Sequence, residues 1–311
     1  AFTLPLPAFT RHTRANVKIQ DGCNCKCAYC TIPSARGPSR SRQFEDILRE
    51  VDALQERGYR EIVFTGINIG TYHDGSRRLL QLIEAVLANS SVERLRLSSL
   101  EPAMIPKGLL ELMKRYEGRL CRHLHISLQS GSPATLKRMN RPYPLEKIVA
   151  FIHKAVETIP QLAVGVDVIA GFPGEDEREF EETCQTLRNL PIAYGHVFSF
   201  SERPHAPITA QPDIPRVDPR TIQERNRILR EIVAGHKRRF LETLCRDQAS
   251  PLRVLVEQYR APYWEGHTDH YVQVCIQAPE SAALRNEILD VIPLSLQDER
   301  ILAVPRQNTL S

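Results

Sequence analysis

The chain has 311 residues, 42% apolar and 25% charged, which suits about two domains of roughly 100–200 residues and excludes a disordered chain. The formal net charge is only +4, yet the cations are lopsided, with 33 Arg against 8 Lys. No apolar run approaches the ~20 residues of a membrane helix, the start carries no secretory pattern, and four of the eight cysteines crowd between Cys23 and Cys30, which fits neither a disulfide scaffold nor an enzyme with scattered buried thiols.

The elements follow from apolar spacing. Residues 16–20 read as a strand running straight into the cysteines. A helix over 45–57 carries Ile47, Leu48, Val51 and Leu54 at helical spacing and ends at Gly58. Strands are expected at 61–66, 93–98, 123–129, 162–169 and 192–200. Helices are expected at 79–87, 109–116, 145–159, 177–190 and 219–244, the last long and rich in Arg. Six strands alternating with helices imply an α/β fold with a parallel sheet and right-handed crossovers, its chemistry at the carboxyl ends of the strands. After about Ser250 the pattern changes to short strand-like runs at 254–257, 270–274, 288–291 and 300–304, a small all-β module.

Cys23, Cys25, Cys27 and Cys30 sit in D-G-C-N-C-K-C-A-Y-C. Cys121, Cys184, Cys245 and Cys275 are isolated and read as buried small hydrophobes. Zinc sites usually pair two knuckles across a longer loop, and no second knuckle exists here. Iron–sulfur clusters take thiolates from short Cys-rich loops, and C-x3-C-x2-C supplies three ligands, leaving one iron of a cubane open.

C-x3-C-x2-C with an aromatic before its last Cys resembles the signature of the radical S-adenosylmethionine (SAM) superfamily. That resemblance implies a partial (β/α)6 barrel and a [4Fe-4S] cluster on Cys23, Cys27 and Cys30. It implies SAM chelated at the open iron and cleaved to a 5′-deoxyadenosyl radical, with Tyr29 beside it. Cys25 is not part of the family pattern and reads as a bystander.

Further motifs narrow the resemblance. The run from Cys30 to Arg42, Thr65-Gly66-Ile67-Asn68, His125 to Ser132, Asp167 to Glu175, and Phe198 to Pro204 resemble, in family order, those of the methylthiotransferases. Gly266 to Val274 looks like the core of a TRAM domain, a small RNA-binding β-barrel. Residues 97–102 and 137–141 look like the branch acting on N6-threonylcarbamoyladenosine, next to the anticodon at position 37 of tRNA. The resemblance implies a radical SAM core over 1–248 and a TRAM-like domain over 249–311. It implies SAM contacts from Thr65, Gly66, Asn68, Ser98, Glu101, Gln129, Ser130 and Asp167. The basic residues Arg36, Arg40, Arg42 and Arg203 are the candidate tRNA contacts, since guanidinium forks onto phosphate and stacks on bases. Arg225, Arg227, Arg230, Arg238 and Arg239 on the long helix read either as an RNA face or as a solvated one. His125 reads as a hydrogen-bonded barrel histidine.

The expected partners are tRNA, SAM and an electron donor of flavodoxin or ferredoxin type, in the cytoplasm and away from membranes. Methylthiotransferases of this type resemble three-domain proteins whose N-terminal domain carries three more cysteines for a second [4Fe-4S] cluster. Only about a dozen residues precede the first strand and the first residue is Ala1, so a fragment is expected, holding one cluster and unable to thiolate alone. The alternatives are an isopentenyladenosine or ribosomal-protein target, or a non-catalytic RNA-binding protein with a structural metal.

Overall fold

The computed structural model describes residues 13–141, 143–247 and 250–306. Strands β1 (Arg14–Lys18), β2 (Glu61–Thr65) and β3 (Arg94–Leu97) form a parallel sheet in the order β1-β2-β3. Strands β4 (His123–Gln129), β5 (Ala163–Ala170) and β6 (Tyr194–Ser199) form a second one in the order β6-β5-β4. The expected six-stranded array is therefore split. β3 forms its ladder with β2, and the chain leaves it after Leu97; single bridges then tie Leu95 of β3 to Leu120, just before β4, and Leu100, just after β3, to Ile126 of β4.

Helices α1 (Phe44–Glu56), α2 (Leu79–Asn89), α3 (Leu109–Arg115), α4 (Leu145–Thr158), α5 (Glu177–Asn189) and α6 (Pro219–Arg246) alternate with the strands. α1 buries Ile47, Val51 and Leu54 of the stripe read from the sequence, with Phe44 added at its start and Leu48 only half-buried. α5 and α6 begin where the carboxylates of Asp176 and Asp218 accept backbone N–H bonds at 2.8 Å. In β5, Val164, Val166 and Val168 are fully buried and Asp167 between them is half-buried. Three of the isolated cysteines, Cys121, Cys184 and Cys275, are buried, and Cys245 is half-buried.

Residues 252–305 form a closed five-stranded barrel: β7 (Leu252–Arg260), β8 (Tyr263–Thr268), β9 (Gln273–Ile276), β10 (Ile288–Gln297) and β11 (Arg300–Pro305), in the order β7-β8-β9-β11-β10. The sequence pattern shows four runs, because Gly266 interrupts β8. A Cβ there would lie 2.2 Å from the Leu255 carbonyl oxygen, so only glycine allows the two strands to pair so closely. The run expected at 270–274 enters its strand only at Gln273, since Tyr271 sits in a turn at φ 66°. The expected division between 248 and 249 falls on Gln248 and Ala249, outside the described residues.

Buried charge docks the small barrel onto the large one. Glu61, Arg94 and Arg96 are all buried. Arg96 Nε meets Glu61 at 2.7 Å, and its remaining nitrogens donate to the carbonyls of Asp269 at 2.9 Å and Thr268 at 3.1 Å. Arg94 donates to the carbonyls of His267 and Arg253, and Arg122 meets the Asp269 carboxylate at 2.8 Å. Tyr271 lies beneath Arg14 and Arg96 and against His123. Its turn thus packs on the amino-terminal ends of the large barrel's strands, opposite the cysteine loop. Among the described residues, no helix is long and apolar enough to cross a membrane.

Candidate active site at the cysteine loop

The loop leaves β1 through a short ribbon in which Gln20 and Asp21 pair with Ser41 and Arg40. Gly22 turns the chain at φ 70°, where a Cβ would sit 2.1 Å from the Pro38 carbonyl oxygen. Cys23 N donates to Gly37 O at 3.1 Å, which closes the loop. Inside it, backbone N–H groups point at sulfur: Cys25 N at Cys23 Sγ (3.3 Å) and Ile32 N at Cys30 Sγ (3.4 Å). Ala28 is pinned from both sides, its N–H to Met139 O and its carbonyl from Ile208 N.

A buried guanidinium organises the rest. Arg141 donates to Cys27 Sγ and Tyr29 Oη, both at 3.2 Å, and to Glu101 Oε2 and Ser127 O, both at 2.7 Å. Nothing local in the sequence places Arg141 in the site. Its only signal was membership of the run 137–141, which reads as a branch marker.

Cys25 hydrogen-bonds Cys23, which with the Cys25 N–H, Asn68 and Arg141 pulls the Cys23 thiol down to about 6. Cys25 itself is pushed up by that same bond and by burial. Burial pushes Cys30 up. Burial also raises Glu101 and Tyr29, although Arg141 opposes both.

Of the expected SAM contacts, Thr65 ends β2, and Gly66 follows it where a Cβ would meet Gln20 O at 2.9 Å. Asn68 is held by its N–H to Gln20 Oε1 at 2.8 Å. Asn68 Oδ1, Ser98 Oγ and Glu101 Oε1 are buried with no hydrogen-bond partner. Buried polar atoms are normally satisfied, so three orphans around one loop ask for a polar ligand. Gln129 adopts φ 72° at the end of β4, an uncommon conformation for a residue other than glycine. Ser130 is turned inward instead, its hydroxyl engaged by Thr183 Oγ1 and by Ser132 N, both at 3.1 Å. Asp167 lies farther down the barrel wall, between His125 and His196.

The basic candidates separate. Arg36 and Arg203 are exposed, and among the described residues neither side chain has an ion-pair partner. Arg40 is bound to Asp21 at 2.8 Å, and Arg42 is locked to Glu50 and to the carbonyls of Lys18 and Asp46. On α6, Arg225 is a core residue clamped on Glu175 at 2.9 Å, and Arg227 and Arg238 pair with acidic neighbours on their own helix.

Three thiols from one short loop, with unpartnered oxygens beside them, suit a cluster with an open iron and an amino-acid chelate. The description "Radical SAM superfamily" matches residues 17–187. The chain belongs to the radical SAM superfamily. It is similar to a threonylcarbamoyladenosine tRNA methylthiotransferase MtaB of Bacillus subtilis, at 35% identity over 89% of this chain and 62% of the relative. A protein of the same name from Chlamydia pneumoniae is 35% identical over 95% of this chain and 68% of its own length. A tRNA-2-methylthio-N(6)-dimethylallyladenosine synthase of Thermodesulfovibrio yellowstonii is 38% identical over 61% of this chain and 44% of its own. The chain thus spans about three-fifths of several of these relatives. Among solved structures, the radical SAM methyltransferase TsrM of Kitasatospora setae, with cobalamin and a [4Fe-4S] cluster bound, superposes with TM-score 0.54 at 15% identity over 63% of this chain and 38% of that one. The coproporphyrinogen III oxidase HemN of Escherichia coli superposes with TM-score 0.52 at 17% identity over 74% and 54%. Both share the fold of the large barrel.

Proposed function

We propose that this chain supplies the radical SAM core (1–248) and the TRAM-like RNA-binding domain (249–311) of a tRNA methylthiotransferase. Its target is N6-threonylcarbamoyladenosine at position 37, and it works in the cytoplasm with a flavodoxin- or ferredoxin-type electron donor. The observation that carries the reading is the cysteine loop with its orphaned oxygens, set in a chain similar over 89% and 95% of its length to two threonylcarbamoyladenosine tRNA methylthiotransferases.

Cys23, Cys27 and Cys30 would hold the [4Fe-4S] cluster, and Asn68, Ser98 and Glu101 would meet the amino-acid end of SAM, with Tyr29 beside it. When bound, the pair supplies the one-electron cleavage that opens an unactivated C–H bond. Arg141 donates to Cys27 Sγ and orients Glu101. Gly66 lets the backbone approach the ligand, and Gln129 brings a side-chain amide to the strand end where a ribose would lie. Arg36 and Arg203, exposed and without an ion-pair partner among the described residues, would meet phosphate, whereas Arg40 and Arg42 hold the loop in shape.

Nucleoside mass spectrometry of tRNA from a deletion strain tests the reading. Loss of the 2-methylthio group from threonylcarbamoyladenosine alone supports it. Loss from isopentenyladenosine alone, or no loss with an unmethylthiolated ribosomal protein, rejects it.

A further inference from the structure

β6 is an edge strand whose two faces differ. Gly195 and Val197 face α6: a Cβ on Gly195 would lie 2.8 Å from Val233, and Val197 is buried. Tyr194, His196 and Phe198 therefore share the opposite face, toward the barrel interior. β5 agrees, since a Cβ on Gly165 would strike the Tyr194 ring, and Asp167 lies two residues further along the same face.

On this wall the rings follow one another. Tyr194 and His196 lie 5.4 Å apart, His125 and His196 5.2 Å, and Phe198 meets His196 edge-on at 6.4 Å. Phe198 is 52% exposed, a large apolar ring left bare on an inward-facing wall. His196 Nδ1 lies 3.3 Å from Asp167 Oδ1, while its Nε2 has no partner among the described residues. Asp167 is held ionised, at about 2; burial opposes this but is outweighed by the imidazoles of His125 and His196 beside it. His125 Nδ1 meets Ser99 Oγ at 2.9 Å, yet its buried Nε2 is unpartnered, 3.4 Å from the same Asp167 oxygen.

A bare ring next to an imidazole whose far nitrogen is unpartnered, with no guanidinium stacked on either among the described residues, suits a flat heterocycle better than a phosphate. Anchoring Nδ1–H on a carboxylate fixes the tautomer and leaves Nε2 to accept. An adenine offers a face to stack and an exocyclic N6–H to donate.

We propose that the wall formed by Phe198, His196 and Asp167 is the seat of the target adenine, with Phe198 stacking on the flipped-out base, His196 Nε2 accepting its N6–H, and Asp167 positioning His196. The proposal rests on the reading of the chain as a tRNA-modifying enzyme. A base taken out of its loop loses its stacking partners, and an aromatic platform restores them.

The test uses the whole chain with its cluster reconstituted and three anticodon stem–loop RNAs, carrying adenosine, purine riboside (no 6-amino group) or an abasic site at the target position. Affinities are read by fluorescence anisotropy. The wild type is expected to bind them in that order of decreasing strength. Phe198→Leu should weaken the two base-bearing RNAs by about 5- to 150-fold and leave the abasic one unchanged, while Phe198→Tyr retains binding. His196→Ala should erase a preference for adenosine over purine riboside of about 2- to 12-fold. Asp167→Asn should weaken that preference without changing the abasic affinity. Thermal melts of each variant verify folding. Equal losses on all three RNAs, or no loss, overturn the seat. A wild type that binds the stem–loops but ignores the abasic site refutes the seat alone, and a wild type that also fails to bind a stem–loop carrying N6-threonylcarbamoyladenosine refutes the tRNA reading itself.

Discussion

Glu61→Gln isolates what the buried charge between the two barrels contributes. Glu61 and Arg94 have fully buried side chains, and that of Arg96 is 4% exposed. The glutamate meets Arg96 at 2.7 Å and Arg94 at 3.5 Å. Glutamine preserves the shape and one acceptor but removes the only carboxylate among the described residues within ion-pair distance of both guanidinium groups, since Asp269 is engaged by Arg122. Breaking a buried pair from one side costs about 3–5 kcal/mol, because the partner charge stays buried. At roughly 2–4 °C per kcal/mol for a chain of this class, Tm should fall by about 6–20 °C at pH 7. Burial alone would push the Glu61 carboxyl up, but Arg96 and Arg94 outweigh it and hold it below the ordinary range. A depressed carboxylate contributes stability above its unfolded pKa and loses it as pH falls through the folded value. The gap between wild type and variant should therefore be full at pH 7 and narrow only in acid, below about pH 4. Differential scanning calorimetry across that range checks this. A Tm within about 2 °C of wild type at pH 7, or a gap that widens in acid, would refute the reasoning.

Further outcomes are expected elsewhere. Reconstituted with iron and sulfide, the chain should hold about four irons, which Cys27→Ala abolishes and Cys25→Ala leaves intact; colorimetric iron analysis decides, and about eight irons per chain would count against a single cluster. Arg141→Met should cost about 3–5 kcal/mol by stranding Glu101, with the double variant Arg141→Met/Glu101→Gln recovering part of it in denaturant melts. Gly266→Ala should destabilise the small barrel by more than 1 kcal/mol, because its Cβ has no room beside the Leu255 carbonyl; a neutral result by urea titration would contradict the pairing. Arg203→Ala should reduce the salt dependence of stem–loop binding, whereas Arg227→Ala, paired on its own helix, should not.

What could be read in advance was what lies close together in the chain. Cys23, Cys27 and Cys30 announce themselves within one loop, and the alternation of strands and helices follows from apolar period alone. Arg141 was invisible because it reaches Cys27 across 114 positions and sits in a basic run like any other. Arg225 was misread for the converse reason: helical spacing gave it a face, but only packing shows Glu175 on the other side. The split between the sheets was equally hidden, since β3 has a strand's alternation and nothing local says that its ladder stops after Leu97. The wall on β6 looked like an ordinary strand until Gly195 and Gly165 showed which way each side chain turns.

The two barrels are tied by carbonyls and carboxylates gripping arginines, with Tyr271 wedged among them. Such a joint resists sliding, since each guanidinium is directed at a particular backbone oxygen. The span from the outer surface of the small barrel to the thiols is thereby a set length. Any RNA that touched both would be measured against it, so the nucleotide offered to the chemistry would be picked by its distance along the strand as well as by its own shape.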